Sequence, residues 1–402
     1  MRRVAITGLG VISALGNGVP EFWDKLSSGV PGIAPIRLVD CSRMRLQKGA
    51  EVKDFDPAAH FDPSRLSLLD RFAQFALVSA REAIQNAGIE FDAETKKRTA
   101  IVTGSSVGGQ TTQDEQFIEL YRNSRDRVHP FTIARTMANG GASHISMEFG
   151  ITGPVFTTST ACSSSNHAIG NAFWMVRNGQ ADVAITGGSE CPFSYGFLKA
   201  WESLRVVSPD TCRPFSKNRS GMILGEGGAT LILEEFEHAK SRGARIYGEI
   251  VGLGMSSDAG NIMAPSADGA AAAMLRAIED AGVPADAIGY INAHGTATPA
   301  NDSTETRAIR QQFSSHAGKI AISATKSMHG HALGAAGAIE AVATVLALKH
   351  GLVPPTANYQ EPDPECDLDY VPNASRKLSV EYALSNSFAF GGLNAVLIFR
   401  AT

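Results

Sequence analysis

The sequence lacks the cysteine patterns that stabilise small secreted domains or structural zinc sites. Only five cysteines occur among 402 residues, their number is odd, and no two of them form a CxxC pair. This usage favours reduced thiols over a disulfide framework or a zinc centre. The five are Cys41, Cys162, Cys191, Cys212 and Cys366.

Long uninterrupted apolar runs are also missing. The best candidate, 332–353, contains Glu340, Lys349 and His350, so we expect no membrane-spanning helix. The N-terminal MRRVAITGLG reads as a strand entering a turn and lacks the apolar core of a signal peptide, which favours a cytoplasmic location. The formal net charge is only −4, which argues against nucleic acid or an anionic membrane as a partner. An acidic partner would need a local basic patch.

Short apolar runs and longer helical stretches alternate along the chain. We predict strands at 4–7, 100–103, 183–186, 230–233, 246–251, 290–293, 320–323 and 395–399, and helices that include 70–87, 167–178, 270–281 and 337–349. This alternation predicts α/β layers with buried sheets. Each half holds a helical stretch, short strands and a glycine-rich turn, and we divide the chain into 1–245 and 246–402.

Cys162 lies among small residues in TTSTACSSS, immediately before a helical stretch that ends at Asn178 and Gly179. A cysteine at a helix N-terminus is exposed to unpaired N–H groups and to the positive end of the helix dipole, which favour a thiolate. The same N–H groups suit a developing oxyanion. The alternative at this point is a small, inert, buried cysteine in a tight turn.

Two histidines follow apolar strands in separate glycine-rich turns. His294 lies in NAHGTATP, and His331 in TKSMHGHALGAAG, where it is predicted to open a helix. His329 is a rival within the second motif, and Lys326 shortly precedes both. A lone histidine is more often structural than catalytic, but the pairing of two such turns favours a site. In NDSTE, Asp302 and Glu305 either pair with Lys326 or act as helix N-terminal acids.

Two other glycine-rich segments lack the spacing of a phosphate-binding loop. Residues 211–227, TCRPFSKNRSGMILGEG, contain neither GxxxxGK[ST] nor GxGxxG after a strand, and we interpret them as scaffold. Residues 384–394, LSNSFAFGGLN, lead into the last strand. Their FGG turn is either a plain hairpin turn or a source of a backbone N–H, with Phe390 as a bulky gate. The Pro-rich and acidic segment 356–372 reads as a surface loop.

Together these motifs resemble the β-ketoacyl synthases of the thiolase superfamily, in the elongating class with a Cys–His–His triad. The matching segments are TACSSS, CRPF…GEG, NAHGT, TKSM.GH.LGAAG and SNSF.FGG.N, in the family's order. The resemblance spans essentially the whole chain and implies a five-layered α-β-α-β-α thiolase fold made of two related halves. Within the family, 199–216 and 353–369 are similar to nodulation protein E and to ketosynthases of unsaturated or polyene chains.

The resemblance implies a decarboxylative condensation that extends an acyl chain by two carbons. Cys162 would take the acyl chain from an acyl carrier protein, and His294 and His331 would assist decarboxylation of the malonyl-carrier protein. Lys326 would orient the site, tied to Glu305 and Asp302. No metal or redox cofactor is required, because loss of the malonyl carboxylate supplies the driving force, and the carrier's phosphopantetheine arm carries the substrate. The resemblance also implies an oxyanion hole made by the N–H groups of Cys162 and Phe390. Thr296 and Thr298 would contact the phosphopantetheine arm. The acyl gate and pocket would include Phe390, Ala389 and Val107.

Family members often hold a structural monovalent cation, whose side-chain ligands would here be Asn292, Glu340, Ser385 and Asn386. The chain also departs from the family pattern. Ala389 stands in place of a usual glycine beside the gate, which narrows the accessible backbone range. Other departures are Leu393, His329, Ser216, Trp201 at a usual carrier-binding arginine, and Leu68 and Leu69 in a usually basic patch. The basic residues left for carrier docking are Arg65, Arg71, Arg125, Arg127 and Lys199, unless they form an ordinary solvated surface.

Three relatives of this chemistry are alternatives. A thiolase would need a second cysteine near the C-terminus, and only Cys366 is available. A chain-initiating synthase of the Cys–His–Asn class is disfavoured by His331. A catalytically inactive chain-length factor would lack the nucleophilic cysteine, whereas this chain has Cys162. The chain could still be the active subunit that pairs with a chain-length factor. The expected partners are therefore an acyl carrier protein and a second subunit, in a homodimer by default or a heterodimer with a chain-length-factor homologue.

Overall fold

The computed structural model describes all residues, Met1–Thr402. The strands are β1 Val4–Ser13, β2 Ala34–Pro35, β3 Lys48–Gly49, β4 Thr99–Gly104, β5 Val155–Thr158, β6 Val183–Glu190, β7 Gly227–Glu235, β8 Gly248–Ser257, β9 Ile288–Asn292, β10 Ala321–Ser323, β11 Leu352–Val353, β12 Arg376–Lys377, β13 Tyr382–Ala389 and β14 Leu393–Arg400. The helices are α1 Val19–Ser27, α2 Pro63–Leu66, α3 Arg71–Ala87, α4 Ala93–Arg98, α5 Gln110–Tyr121, α6 Thr132–Thr136, α7 Gly140–Phe149, α8 Ser164–Arg177, α9 Tyr195–Leu204, α10 Phe236–Ser241, α11 Ala267–Ala281, α12 Pro299–Phe313, α13 Lys326–His329 and α14 Ala336–His350. Four short 3₁₀ turns complete the chain, at Pro57–Ala59, Ala285–Ala287, Ser314–Lys319 and Leu333–Ala335.

The main sheet consists of two five-stranded halves with the same topology. The first half has the order β5-β4-β6-β7-β1 and the second β10-β9-β13-β14-β8. In each, three parallel strands are followed by two antiparallel ones. The halves join where β1 and β8 pair over three residues, Val4–Ile6 against Ile250–Gly248. This repetition confirms the prediction of two related halves.

Glycines repeat the same close packing in both halves. In β1, a Cβ on Gly10 would lie 2.0 Å from the carbonyl oxygen of Ser79 in α3. In β8, a Cβ on Gly254 would lie 2.0 Å from the carbonyl oxygen of Ala273 in α11. Each GLG segment therefore lets an outer helix lie directly on its strand, where any side chain would clash with backbone.

Helices α8 and α14 lie between the two halves and contact strands of both, whereas α3 and α11 cover the outer faces. The five-layered arrangement predicted from the sequence is therefore confirmed. Residues Ala336–Leu348 of α14 are all buried, as expected for a helix that is apolar around its whole circumference. Together with the preceding turn, Leu333–His350 is long and apolar enough to cross a membrane, but 83% of it is buried inside the protein, which is typical of a core helix.

All eight predicted strands and four predicted helices are present within a few residues. Among the longer elements, the prediction did not name β5, β13, α1, α5–α7 or α9. Two finer predictions were wrong. His331 does not open a helix, because α14 begins only at Ala336. The 356–372 segment is irregular but not merely superficial, since Tyr370 is buried and stacks on Phe215 with ring centroids 3.9 Å apart.

Candidate active site

The site forms where the carboxyl ends of parallel strands from both halves meet, a common location for ligand sites in α/β sheets. The loop after β5 carries Cys162, the loop after β9 carries His294, and the loop after β10 carries Lys326 and His331. The hairpin turn between β13 and β14 adds Phe390. One cleft is lined by Cys162, both histidines and Phe390, so the structure brings together the predicted nucleophile, histidines and gate.

Cys162 is 6% exposed and lies in the turn before α8, where Ala161 has a left-handed backbone (φ 51°). Burial raises the pKa of its thiol to about 11. The charge of Lys326 and the backbone N–H groups of Phe390 and Cys162 oppose that rise. The predicted lowering of this pKa was therefore wrong, because loss of solvation outweighs the helix N-terminus. The two N–H groups directed at the sulfur agree with the predicted oxyanion hole.

His331 contacts the nucleophile directly. Its Nε2 lies 3.2 Å from Sγ of Cys162, and its Nδ1 accepts a hydrogen bond from the N–H of Leu333 at 3.2 Å. The ring hydrogen is therefore assigned to Nε2, facing the sulfur. Its backbone is fixed by the 211–227 segment, where the Ile223 carbonyl accepts its N–H at 2.7 Å. Burial and the charge of Lys326 hold its pKa well below the usual value, so the imidazole is neutral.

His294 stands edge-to-face with His331, with ring centroids 5.5 Å apart. Its Nδ1 faces the ammonium of Lys326 at 3.4 Å, which leaves the ring hydrogen on Nε2. Burial and the neighbouring charge of Lys326 hold the pKa of His294 well below its ordinary value. The rival His329 faces away, since its ring nitrogens contact Thr325 and the Gly330 carbonyl. The cleft thus receives two neutral imidazoles with Nε2–H groups.

Lys326 forms its ion pair with Glu340 of α14, and both side chains are fully buried. The prediction that Glu305 and Asp302 bind Lys326 was wrong. Glu305 instead accepts the N–H groups of His294 and Gly295, both at 2.8 Å. Asp302 accepts the N–H of Phe215 at 2.7 Å and that of Ala297 at 3.2 Å. The two acids of α12 therefore shape the histidine turn through its backbone.

The predicted cation ligands share one property. Asn292 Oδ1, Glu340 Oε2, Ser385 Oγ and Asn386 Oδ1 are all buried and lack a hydrogen-bond partner. Asn292 and Ser385 are also neighbours in the pairing of β9 with β13. Unpaired buried oxygens are costly, and a bound cation would take such oxygens as ligands. These residues therefore fit a monovalent cation next to the Lys326–Glu340 pair.

Glu190, at the end of β6, is a residue that the sequence interpretation missed. Its buried carboxylate accepts the N–H of Ser106 at 2.6 Å, that of Val107 at 3.4 Å and that of Gly334 at 3.1 Å. It also accepts both serine hydroxyls of the Ser105–Ser106 pair. Glu190 therefore ties the loop of Val107 to the loop that follows His331. The polar GGSE at the end of an otherwise apolar strand was the sequence feature that could have identified Glu190 as a site residue.

Thr296 and Thr298 line the cleft and face each other, with hydroxyl oxygens 2.9 Å apart. Most residues predicted for carrier docking already have partners within the chain. Arg71 pairs with the buried Glu226, and Lys199 with Glu202. Trp201 is not a docking residue, because it is only 8% exposed and lies behind Phe390.

The remaining docking candidates differ in exposure. Arg65 contacts Glu148 at 3.6 Å and is about three-quarters buried, whereas Arg125 is 71% exposed beside Glu119. Arg127 is exposed. Of the five candidates, Arg125 and Arg127 are thus the most exposed, although Arg125 pairs with Glu119 at 3.5 Å. Cys366 does not line the cleft, which removes the second cysteine that a thiolase needs.

Comparison with known proteins agrees with this geometry. The family model for the β-ketoacyl synthase N-terminal domain matches residues 1–239, and the model for the C-terminal domain matches 247–360. Nodulation protein E of Rhizobium sp. strain N33 is 45% identical over 99% of both chains. 3-Oxoacyl-[acyl-carrier-protein] synthase 2 of Synechocystis is 44% identical over 99% of this chain and 98% of its own.

Solved structures of ketosynthases are also similar to this chain. The ishigamide ketosynthase/chain length factor superposes with a TM-score of 0.94 and 37% identity over 100% of this chain and 99% of that one. A β-ketoacyl synthase from Burkholderia phymatum STM815 gives 0.93 and 35%, with both chains fully covered. The chain therefore belongs to the β-ketoacyl synthase family and is an acyl-transferring ketosynthase.

Proposed function

We propose that this ketosynthase loads an acyl chain on Cys162 and condenses it with a malonyl group carried by an acyl carrier protein. One observation carries the assignment of residues. Two neutral imidazoles, His294 and His331, present Nε2–H groups beside a buried thiol that also faces two backbone N–H groups. Such donors stabilise an enolate or a tetrahedral oxyanion without becoming strong acids.

In the loading step, the sulfur of Cys162 attacks the thioester carbonyl of the acyl-carrier protein. The new C–S bond forms as the bond to the phosphopantetheine sulfur breaks, and the proton of the Cys162 thiol ends on the departing phosphopantetheine thiol. Negative charge on the carbonyl oxygen is received by the N–H groups of Cys162 and Phe390. Thr296 and Thr298, in the lining of the cleft, contact the arm.

In the condensation step, the malonyl carboxylate leaves as CO₂, and its bonding electrons form an enolate on the thioester. His294 and His331 donate hydrogen bonds to the enolate oxygen. The enolate carbon then attacks the acyl carbon on Cys162, and the C–S bond breaks. The released thiolate takes one proton from solvent, which regenerates the thiol and yields a 3-oxoacyl-carrier protein two carbons longer. Lys326 holds the tautomer of His294, and the cation site, when filled, supplies positive charge beside Glu340.

A carrier protein and a second subunit are the proposed partners, in the cytoplasm. A solved relative, a type II polyketide ketosynthase, is described in complex with its acyl-carrier protein. Strand β5 is an unpaired edge of the main sheet, and exposed apolar residues lie on it and on α5–α7. They are Phe117, Ile118, Tyr121, Ile133, Met147 and Phe156. This apolar edge supports a homodimer, or a heterodimer with a chain-length-factor homologue like the subunit named in the ishigamide structure.

Intact mass spectrometry after incubation with a panel of acyl-carrier proteins tests the function. We expect one covalent acyl adduct per chain, selective among the acyl groups offered, and none in Cys162→Ala. No adduct from any donor, or an unchanged adduct in Cys162→Ala, would contradict the proposal. Size-exclusion chromatography of the chain alone, and after co-expression with a neighbouring homologue, separates the two subunit arrangements.

A further inference from the structure

Cys162, His294 and His331 form a set of side chains of the kind that binds a transition metal. Sγ of Cys162 and one ring nitrogen of each histidine all lie within 4.8 Å of one another, and all three residues are buried. Thiolate and imidazole are ligands that Zn²⁺ prefers, and bond lengths of about 2.0–2.3 Å place tetrahedral ligand atoms roughly 3.3–3.6 Å apart. Nε2 of His331 and Sγ of Cys162 are already 3.2 Å apart. By ligand type and spacing alone, the cleft would hold a three-ligand metal site with an open fourth position.

The second ring nitrogen of each histidine has the wrong partner for such a site. A histidine that binds a metal through one nitrogen carries its hydrogen on the other, and an oxygen acceptor normally receives that hydrogen. Here Nδ1 of His331 accepts the N–H of Leu333 at 3.2 Å, and Nδ1 of His294 faces the ammonium of Lys326 at 3.4 Å. Binding a metal at Nε2 would move each ring hydrogen to Nδ1, directly against one of these donors.

Neither donor can become an acceptor. The N–H of Leu333 belongs to the backbone at the start of the 3₁₀ turn Leu333–Ala335. The ammonium of Lys326 has no lone pair, and its ion pair with the fully buried Glu340 stabilises the charged form. The carboxylate of Glu305 is engaged by the backbone N–H of His294, not by its ring. The buried charge of Lys326 also repels a second cation.

We propose that Lys326 and the N–H of Leu333 prevent Zn²⁺ and similar thiophilic metal ions from binding Cys162, His294 and His331. The two donors hold both ring hydrogens on the side of the cleft, where they occupy the lone pairs that a metal needs and leave the thiol free to react. Lys326 acts on the metal through His294 and is in this respect a positioning residue. Its removal should raise metal affinity by about 10- to 100-fold, the usual effect of one partner of a metal-binding histidine.

Titration of the purified protein with Cd²⁺ or Zn²⁺ tests this without any carrier protein. Cd²⁺ bound to a thiolate gives an ultraviolet charge-transfer band, and Zn²⁺ bound to Cys162 protects it from iodoacetamide, as intact mass spectrometry measures. We expect Lys326→Met to show both signals at metal concentrations about 10- to 100-fold lower than the wild-type protein requires. Because Lys326→Met leaves Glu340 without its ion-pair partner, Lys326→Met/Glu340→Gln serves as the second variant and should show the same gain.

Further substitutions in the double variant identify the ligands. Cys162→Ala should abolish the Cd²⁺ band, and His294→Ala should reverse the gain in affinity. Cys366→Ser, which changes a buried thiol outside the cleft, should leave both signals in place.

Three results overturn the proposal: equal affinities of the wild-type protein and the double variant, a lower affinity in the double variant, or a Cd²⁺ band that persists after Cys162→Ala. These measurements involve neither acyl loading nor condensation. A failure of the proposed metal exclusion is therefore distinct from a failure of the proposed function.

Discussion

The ammonium of Lys326 contacts Nδ1 of His294 at 3.4 Å while forming an ion pair with Glu340, and the whole group is removed from solvent. A buried cation at this nitrogen keeps the imidazole neutral and its hydrogen on the side of the cleft. Lys326 therefore determines which nitrogen of His294 carries the hydrogen that faces the cleft.

Replacing Lys326 tests that relationship. Lys326→Met should lower the condensation rate by roughly 10²- to 10³-fold, because His294 loses its fixed tautomer. It should also destabilise the protein by about 3–5 kcal/mol, because the fully buried Glu340 loses its ion-pair partner. The double variant Lys326→Met/Glu340→Gln is the matched control. Urea unfolding should show recovered stability, but product formation should stay low; a wild-type rate in the double variant would exclude the role of Lys326.

The raised pKa of Cys162 predicts the pH dependence of its reactivity. Burial shifts the thiol from its reference pKa of 9.0 to about 11, so at neutral pH it is protonated in the folded protein. Only the thiolate reacts with iodoacetamide, and its fraction rises about tenfold per pH unit below the pKa. Alkylation rates should therefore keep rising through pH 9. A plateau near pH 7 would mean that the resting state is already a thiolate.

Glu190 should be needed for the relative placement of Val107 and His331. Glu190→Gln cannot accept all of the N–H groups that the carboxylate receives, and hydrogen bonds to a charged group contribute about 1.5–3 kcal/mol each. We expect lower stability in urea and a reduced kcat for condensation. Ser106→Ala, which removes one hydroxyl and keeps every backbone contact to Glu190, should behave much more like wild type. Indistinguishable kcat values for Glu190→Gln and wild type would show that the carboxylate does not position the site.

Ala389 precedes Phe390 and pairs with Leu393 across the hairpin. Its backbone is not left-handed in this state, so its Cβ restricts other conformations of the turn without straining this one. Ala389→Gly should therefore ease opening and raise the rate of acyl loading by about 2- to 5-fold, as expected for roughly 0.5–1 kcal/mol of backbone freedom. Stopped-flow loading kinetics measure this. The same saturation curve for both proteins would remove Ala389 as a determinant of gating.

The unpaired oxygens beside Glu340 predict stabilisation by monovalent cations. Potassium or sodium chloride should raise the melting temperature by roughly 2–4 °C over choline chloride at equal ionic strength. Ser385→Ala removes one orphaned oxygen and no protein hydrogen bond of that side chain, so it should reduce the difference between salts. Equal melting temperatures in all three salts would contradict the site.

Much of the fold could be predicted because strands and helices alternate so regularly in this chain. The repeated GLG of β1 and β8 was a stronger signal of duplication than the loose similarity that we used. In each copy the glycines let an outer helix, α3 or α11, pack directly on the strand. Helices α5–α7 were harder to predict, because several of their apolar residues face solvent and blur the periodicity. The division at residue 245 stays a prediction about folding units.

At the site, residue types were predictable and their partners were not. Cys162 lies before a helix as predicted, yet its pKa depends on burial between the two halves, which no local segment reveals. Glu305 and Asp302 are close to the histidine turn in sequence. Their carboxylates accept hydrogen bonds from backbone N–H groups of that turn. Lys326 therefore forms its ion pair with Glu340, which lies on the neighbouring helix α14. Trp201 was noted only as a departure at a usual carrier-binding arginine, and its burial behind Phe390 could not be read from that alignment.

The matching topology of the two halves places Cys162 and His331 at equivalent positions, each in the crossover between the second and third parallel strands of its own half. The loops of Val107 and His294 correspond in the same way, one crossover earlier. A duplication would account for these two equivalent loops, which now face each other, one carrying the proposed nucleophile and the other a hydrogen-bond donor. The proposed catalysis therefore combines one loop from each of two halves that share the same topology.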